Sequence, residues 1–296
     1  MQLEHIISTS QFDRKTLEKL FVSAARMEKI HQSRKPSKLL AGKTMAAIFY
    51  EPSTRTRLSF ESAMLKLGGQ VISTENAAQF SSAIKGESIE DTVRIVGLYA
   101  DAIVLRHPQI GTAAAAAKVS PVPIINAGDG AGEHPTQALL DLYTIQKELG
   151  RIDGLTIAFV GDLLNGRTVH SLLDILPRIS KNTIHLVAPK KLQLPASPFA
   201  TTDDLESILP KVDVLYMTRI QKERFASLSD YEKVKNAFVL NGAMVQRMKK
   251  KSIILHPLPR VTEITPDVDT DPRAAYFRQA QNGLYVRMAL LAMLLK

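Results

Sequence analysis

The 296-residue chain contains no cysteine. That absence excludes a disulfide framework, a thiolate-ligated zinc or iron–sulfur site, and a cysteine nucleophile. Tryptophan is absent too, and aromatic residues make up only 6%, which argues against a basic face interleaved with aromatics for nucleic acid. Long apolar runs are missing: the last, at 288–295, falls far short of the ~20 residues a membrane-spanning helix needs. The first fifteen residues carry Glu4 inside a short apolar stretch and show no small-residue cleavage pattern, so they do not read as a secretory leader. A cytoplasmic protein without membrane association is expected. No spacing of the HExxH type occurs, and neither a metal nor a cofactor is expected.

What the chain does have is ordinary globular composition, 45% hydrophobic and 23% charged, in a length that suits one large domain or two of ordinary size. Its unusual feature is a surplus of 38 Lys+Arg over 29 Asp+Glu, a formal +9. Such a surplus suits nucleic acid, an anionic membrane surface, or small acidic ligands. The basic residues are scattered, with one short run at 249–251, which reads as a solvated helix end and not as a nucleic-acid face.

Short apolar runs alternate with helical stretches. TMAAIFY (44–50), QVIST (70–74), DAIVLRH (101–107) and PVPIINAG (121–128) read as strands of a first series. LTIAFVGD (155–162), NTIHLVAP (182–189), DVLYMT (213–218) and SIILHPLP (252–259) form a second. Between them, Ser10 and Asp13 suggest a capping box ahead of Leu17, Leu20 and Phe21. Ser53 offers an N-cap to a helix that Gly68 and Gly69 end. Helices are also expected at 88–100, 111–119, 134–150 and 282–295, and a loop at 75–85. The alternation predicts an α/β chain with doubly wound parallel sheets covered on both faces, divided near the long helix at 134–150.

Polar residues cluster where strands end, the usual ligand position in open α/β sheets. Ser53-Thr54-Arg55-Thr56-Arg57 joins a strand to a helix. Unpaired N–H groups at a helix N-terminus, three hydroxyls and a guanidinium fork together suit a phosphate better than a plain cap does. GEHPTQ (132–137) opens the long helix; on local sequence alone, His134 fits equally a donor to a carbonyl oxygen and a structural residue. HPLPR (256–260) follows SIIL. Its two prolines predict an extended backbone with the Leu258 carbonyl free of any ladder, and a rigid turn serves as well as a binding role. GDLLNGRT (161–168) nearly matches the phosphate-loop pattern GxxxxGK[ST], but Arg167 stands where the compact lysine ammonium belongs.

Taken together, STRTR, KGES (85–88), HPTQ (134–137), TRIQKER (218–224) and HPLPR resemble the motif set of the carbamoyltransferases, in order and spacing along essentially the whole chain. HPTQ with HPLP, and Arg219-Ile-Gln221 after an apolar strand, resemble the aspartate-specific catalytic chains. Ornithine-specific members typically carry cysteine in both corresponding places, and this chain has none. A dicarboxylate acceptor also needs a cation for its side-chain carboxylate, where ornithine would need an acidic partner.

The resemblance implies two α/β domains joined by long helices, with the C-terminal helix packing back on the first. Residues 1–133 plus 283–296 would bind carbamoyl phosphate and residues 134–282 aspartate. The product would be N-carbamoyl-L-aspartate, a step of pyrimidine biosynthesis. Ser53, Thr54, Arg55 and Thr56 would hold the phosphate, with Arg106 bridging phosphate and carbonyl. Thr56, Arg106 and His134 would polarise the carbonyl oxygen, while Gln137 and the Leu258 carbonyl take the carbamoyl amide. Arg167, Arg219 and Gln221 match positions that grip the aspartate carboxylates. Ser81 and Lys85 match a pair supplied by a neighbouring subunit of a homotrimer whose active sites lie at subunit interfaces. Some members add regulatory chains or a dihydroorotase partner. Arg57 and Arg260 read as supporting ion pairs. Setting aside the seven basic residues of these motifs leaves 31 against 29, so the surplus charge suits a site for two small polyanions.

Overall fold

Three runs of the first series are strands buried on both faces, and the fourth, QVIST, is an edge strand. In the computed structural model, Thr44–Phe49 (β1), Gln70–Glu75 (β2), Ala102–His107 (β3) and Ile124–Asp129 (β4) pair in parallel in the order β2-β1-β3-β4. The structure describes residues 3–225 and 227–296. Strands β1, β3 and β4 are buried along almost their whole length, whereas the edge strand β2 is largely open. The chain before, between and after these strands forms helices Arg14–Ser33 (α1), Thr54–Lys66 (α2), Ala77–Phe80 (α3), Ile89–Val96 (α4), Thr112–Ala117 (α5) and Pro135–Leu149 (α6). Ile48, Ile103 and Leu105 pack with Val93 of α4 and Ala116 of α5 in one apolar cluster.

The second series forms a five-stranded parallel sheet. Thr156–Val160 (β5), Thr183–Val187 (β6), Ala200–Thr202 (β7), Val214–Met217 (β8) and Ile253–Leu255 (β9) follow the order β7-β6-β5-β8-β9. Helices Arg167–Ile179 (α7), Leu228–Glu232 (α8), Gly242–Val245 (α9) and Tyr276–Leu295 (α10) complete the chain. Val160, Leu215, Met217, Ile254 and Tyr276 anchor the core here. The chain divides into two units, Met1–Leu140 with Gln281–Lys296, and Asp141–Ala280. No described helix is long and apolar enough to cross a membrane.

Several expectations need correction. Helix α1 is capped by Asp13, whose Oδ1 accepts the Thr16 N–H at 2.7 Å; the capping box belongs instead to Ser8 and Gln11, over a 3₁₀ turn at Thr9–Gln11. The supposed loop at 75–85 contains α3 and a second 3₁₀ turn, Ser82–Lys85. Helix α4 stops at Val96, leaving Leu98 and Tyr99 exposed, and α10 starts at Tyr276, six residues before the apolar run that marked it. Strand β7, three residues with little burial, had no apolar signal to announce it.

Each sheet has a point where successive connections leave in opposite directions, and there the loops splay apart and open a crevice. In the first sheet this lies between β1 and β3, in the second between β5 and β8.

Candidate active site

In the first unit, the chain leaves β1 at Phe49 and enters α2 at Thr54. Ser53 occupies the N-cap position, but its side chain makes no capping hydrogen bond, so the helix does not consume its hydroxyl. The first-turn N–H groups of this 13-residue helix have no intrahelical acceptors and face the favourable end of the dipole for an anion. Thr54 and Arg55 are exposed and Thr56 is buried. Arg57 turns away as expected, pairing with Glu75 at 2.8 Å and Glu61 at 3.5 Å.

Arg106 lies on β3 in register with Phe49, beside the exit of β1. It is buried, with 7% exposure. Nη2 meets Glu51 Oε1 at 2.5 Å and Nη1 donates to the Ala127 carbonyl at 3.0 Å. A buried guanidinium requires such partners, and these two fix its plane at the carboxyl end of the sheet. Next to it, His107 packs its ring on Tyr50 and receives the Gln109 N–H at Nδ1. Burial holds this histidine below its ordinary pKa.

His134 and Gln137 arrive from β4. His134 is buried, and its carbonyl accepts the N–H of Gln137 at 3.0 Å, opening α6. The preceding turn is fastened by two carboxylates. Asp129 accepts the N–H groups of Glu133 and Gly111, both at 3.0 Å. Glu133 in turn accepts the Ser8 hydroxyl at 2.7 Å and the Thr9 N–H at 2.8 Å. Gly130, at φ +52°, lies so close to the Pro108 carbonyl that a Cβ would sit 2.4 Å from its oxygen. The 53–56 segment, Arg106, and the His134–Gln137 turn therefore gather at the carboxyl ends of three adjacent strands.

Ser81 and Lys85 lie apart on the turn after α3. The Ser81 hydroxyl is used locally, donating to the Ala77 carbonyl at 2.6 Å and accepting the Ala83 N–H at 3.2 Å. Lys85 is exposed, as are Phe80 and Ile84 beside it.

In the second unit, Arg167 begins α7 after β5, while Arg219 and Gln221 follow β8. The two exits pack tightly: a Cβ on Gly161, at φ +119°, would meet the Thr218 carbonyl oxygen at 2.3 Å. Asp162 is fully buried between them. It accepts the Asn165 N–H and Nδ2 groups, each at 3.0 Å, and the Gln221 N–H at 3.4 Å. Burial pushes its carboxyl above the usual carboxylate range. The Asn165 N–H is thus spent on Asp162 and that of Leu164 on the Leu192 carbonyl, whereas a phosphate loop would leave such groups to its ligand. Arg219 lays its fork across both oxygens of Glu223. That bond holds the Glu223 carboxyl low and the guanidinium high, showing how this arginine presents itself to a carboxylate.

The HPLPR turn follows β9. The expected extended backbone is not found: Leu258 has φ +54°, in the left-handed region, and its bond to Pro259 is cis. His256, 2% exposed, draws the Leu258 N–H to its Nδ1 at 2.7 Å, a side-chain hydrogen bond that overrides the usual preference of a residue before proline. Arg260 pairs with Asp269 and donates to the Tyr276 hydroxyl at 3.1 Å, the supporting role expected of it.

Sequence reasoning missed the acidic residues that hold these parts: Glu133, Asp162, Glu223 and Glu263. Each lies inside or beside a motif; Asp162 pairs with Gln221 across 59 residues and Glu133 with Ser8 across 125, which leaves no local pattern, whereas Glu223 lies four residues from its partner Arg219 and Glu263 seven from its partner His256. Among the described residues, no three His, Asp or Glu side chains are gathered as metal ligands would be.

The chain is similar to known proteins along its whole length. The carbamoyl-phosphate-binding domain model of the aspartate/ornithine carbamoyltransferases matches residues 4–147, and the Asp/Orn-binding domain model matches residues 153–294. The chloroplastic aspartate carbamoyltransferase of Arabidopsis thaliana is 52% identical, over 99% of this chain and 78% of that one. The catalytic subunit of aspartate transcarbamoylase from Methanocaldococcus jannaschii superposes with a TM-score of 0.92 at 49% identity, over 99% of this chain and 98% of that one. The Trypanosoma cruzi enzyme in complex with N-(phosphonacetyl)-L-aspartic acid superposes with a TM-score of 0.93 at 42% identity, over 99% and 96%. Two domain models in succession, and relatives near half identity along the whole chain, show that it belongs to the aspartate carbamoyltransferases, within the aspartate/ornithine carbamoyltransferase family.

Proposed function

We propose that the chain transfers the carbamoyl group of carbamoyl phosphate directly to the amino group of L-aspartate, giving N-carbamoyl-L-aspartate and inorganic phosphate for pyrimidine synthesis. The observation that carries this reading is the gathering of the Ser53–Thr56 segment, buried Arg106 and the His134–Gln137 turn at the ends of β1, β3 and β4. Solved complexes of the Trypanosoma cruzi relative with carbamoyl phosphate, with aspartate, and with both support the choice of substrates.

In this reading the first unit takes carbamoyl phosphate. Ser53, Thr54, Arg55 and Thr56 hold the phosphate; Thr56, Arg106 and His134 point donors at the carbonyl oxygen; Gln137 and the Leu258 carbonyl take the amide. The second unit takes aspartate through Arg167, Arg219 and Gln221. The uncharged amine attacks the carbamoyl carbon, the C–O bond to phosphate breaks, and the departing phosphate accepts the amine proton. No covalent enzyme intermediate is needed. Fixed donors at an oxygen that gains charge are worth ~3–4 kcal/mol each, and holding two polyanions in reacting geometry lowers the barrier further.

A cytoplasmic homotrimer, with Ser81 and Lys85 completing a neighbour's site, fits the apolar side chains left open on the first unit. Phe80 is 76% exposed, Ile84 65%, Leu98 73% and Tyr99 64%. Sedimentation of the purified chain gives its assembly state, and inhibition by N-(phosphonacetyl)-L-aspartate tests the function. Competition with carbamoyl phosphate is expected; indifference to the analogue contradicts the reading.

A further inference from the structure

Behind the Leu258 turn lies a set of buried polar side chains that the reaction as described leaves unused. His256 is 2% exposed, Glu263 5% and Gln279 1%. The Leu258 N–H reaches His256 Nδ1 at 2.7 Å, and a ring nitrogen that accepts from an amide carries no proton. The proton therefore sits on Nε2, which donates to Glu263 Oε1 at 2.7 Å. Glu263 Oε2 accepts the Val261 and Thr262 N–H groups, both at 3.1 Å. On the other side, the His256 N–H donates to Gln279 Oε1 at 2.9 Å, and Gln279 Nε2 donates to Asp141 Oδ1 at 2.6 Å. Asp141 Oδ2 accepts the Tyr216 hydroxyl at 2.8 Å. Every direction in this chain of bonds is fixed by a group able to act in only one sense.

Burial works to raise the Glu263 carboxyl, but His256 and the backbone N–H groups of Glu263 and Val261 prevail and hold it below the usual range, so it faces the imidazole as a carboxylate. Leu258 itself adopts φ +54°, a conformation that costs a residue with a Cβ and persists only where neighbours over-determine it. Among the neighbours that do so are His256 and, through it, Glu263.

We infer that His256, held by Glu263 as the Nε2–H tautomer, is a positioning residue for the transfer: its Nδ1 sets the left-handed turn at Leu258 and so aims the Leu258 carbonyl at the carbamoyl amide. This rests on the proposed role of that carbonyl. His256 touches no substrate; it acts through the backbone of the residue two positions on.

Two isosteres separate the functions of the ring. In His256→Asn the side-chain oxygen stands near the place of Nδ1, keeping an acceptor for the Leu258 N–H. In His256→Gln the amide reaches the place of Nε2, keeping a donor to Glu263 but removing the Nδ1 acceptor. The KM for carbamoyl phosphate is expected to rise about tenfold in His256→Gln, the loss of one well-placed hydrogen bond. His256→Asn is expected to recover most of that rise. The inhibition constant of inorganic phosphate, which needs no amide acceptor, is expected to stay within about twofold in both. Amide hydrogen exchange at Leu258 is expected to accelerate in His256→Gln only. Equal damage from the two variants, or phosphate and carbamoyl phosphate weakened in step, overturns the positioning role. Faster exchange at Leu258 with an unchanged KM shows instead that the Leu258 carbonyl is no ligand contact, which removes the reading on which the inference stands.

Discussion

Glu51 and Arg106 meet at 2.5 Å where β1 and β3 part, and the Ala127 carbonyl holds the same guanidinium from the other side at 3.0 Å. The glutamate of the Glu-Pro pair that ends β1 thus orients the arginine that β3 supplies. Replacing Glu51 by Gln keeps the shape and removes the charge that pairs with Arg106. Hydrogen bonds to charged groups are worth about 1.5–3 kcal/mol, so kcat/KM for carbamoyl phosphate should fall at least about tenfold. Wild-type kinetics in Glu51→Gln would mean that Arg106 needs no such support.

Arg55 is exposed at the start of α2, and the proposed function gives its guanidinium the phosphate to grip. Arg55→Ala should leave the thermal midpoint nearly unchanged, as surface replacements do, and should lower kcat by about 100- to 1,000-fold if the guanidinium follows charge onto the departing phosphate. Calorimetry and initial rates on one preparation separate the two effects. Near-normal turnover would sink the phosphate assignment.

The fork of Arg219 already lies on Glu223. Lysine carries the same charge without the planar pair of donors. Arg219→Lys should therefore raise the KM for aspartate by about tenfold or more while leaving the KM for carbamoyl phosphate close to its original value. A parallel rise in both constants would place Arg219 outside the acceptor site.

Acid stability should depend on Asp213. Burial alone would raise its carboxyl, but Lys249 at 2.9 Å and the Thr156 N–H at 2.8 Å bring it below the usual carboxylate range. A carboxyl whose pKa is lower in the folded state stabilises the fold above its unfolded pKa. That contribution is lost as pH falls below about 4 and through the folded value. Asp213→Asn should be less stable than the parent by about 1–2 kcal/mol at pH 7, with the gap closing toward pH 2–3. Urea unfolding across that range measures it; a constant gap would contradict the assignment.

The buried strands were legible because β1, β3 and β4 are covered on both faces and so read as continuous apolar runs. Legible too was the position of the polar motifs at the ends of strands, because the apolar runs stop there. Other features depended on competition the local sequence cannot settle. Ser8, Ser10 and Asp13 all offer capping groups within six residues, and the chain uses Ser8 and Asp13. At Leu258 the rule for residues before proline lost to the hydrogen bond that its N–H donates to the buried His256 ring. Asp162 could not be recognised as the tie between two strand exits, because its partner Gln221 lies 59 residues on.

The central claim concerns the acceptor, and one assay reaches it directly. The purified chain, supplied with carbamoyl phosphate and an equimolar mixture of L-aspartate and L-ornithine, should form N-carbamoyl-L-aspartate with little or no citrulline. Citrulline as the main ureido product, or no ureido product at all, would contradict the account.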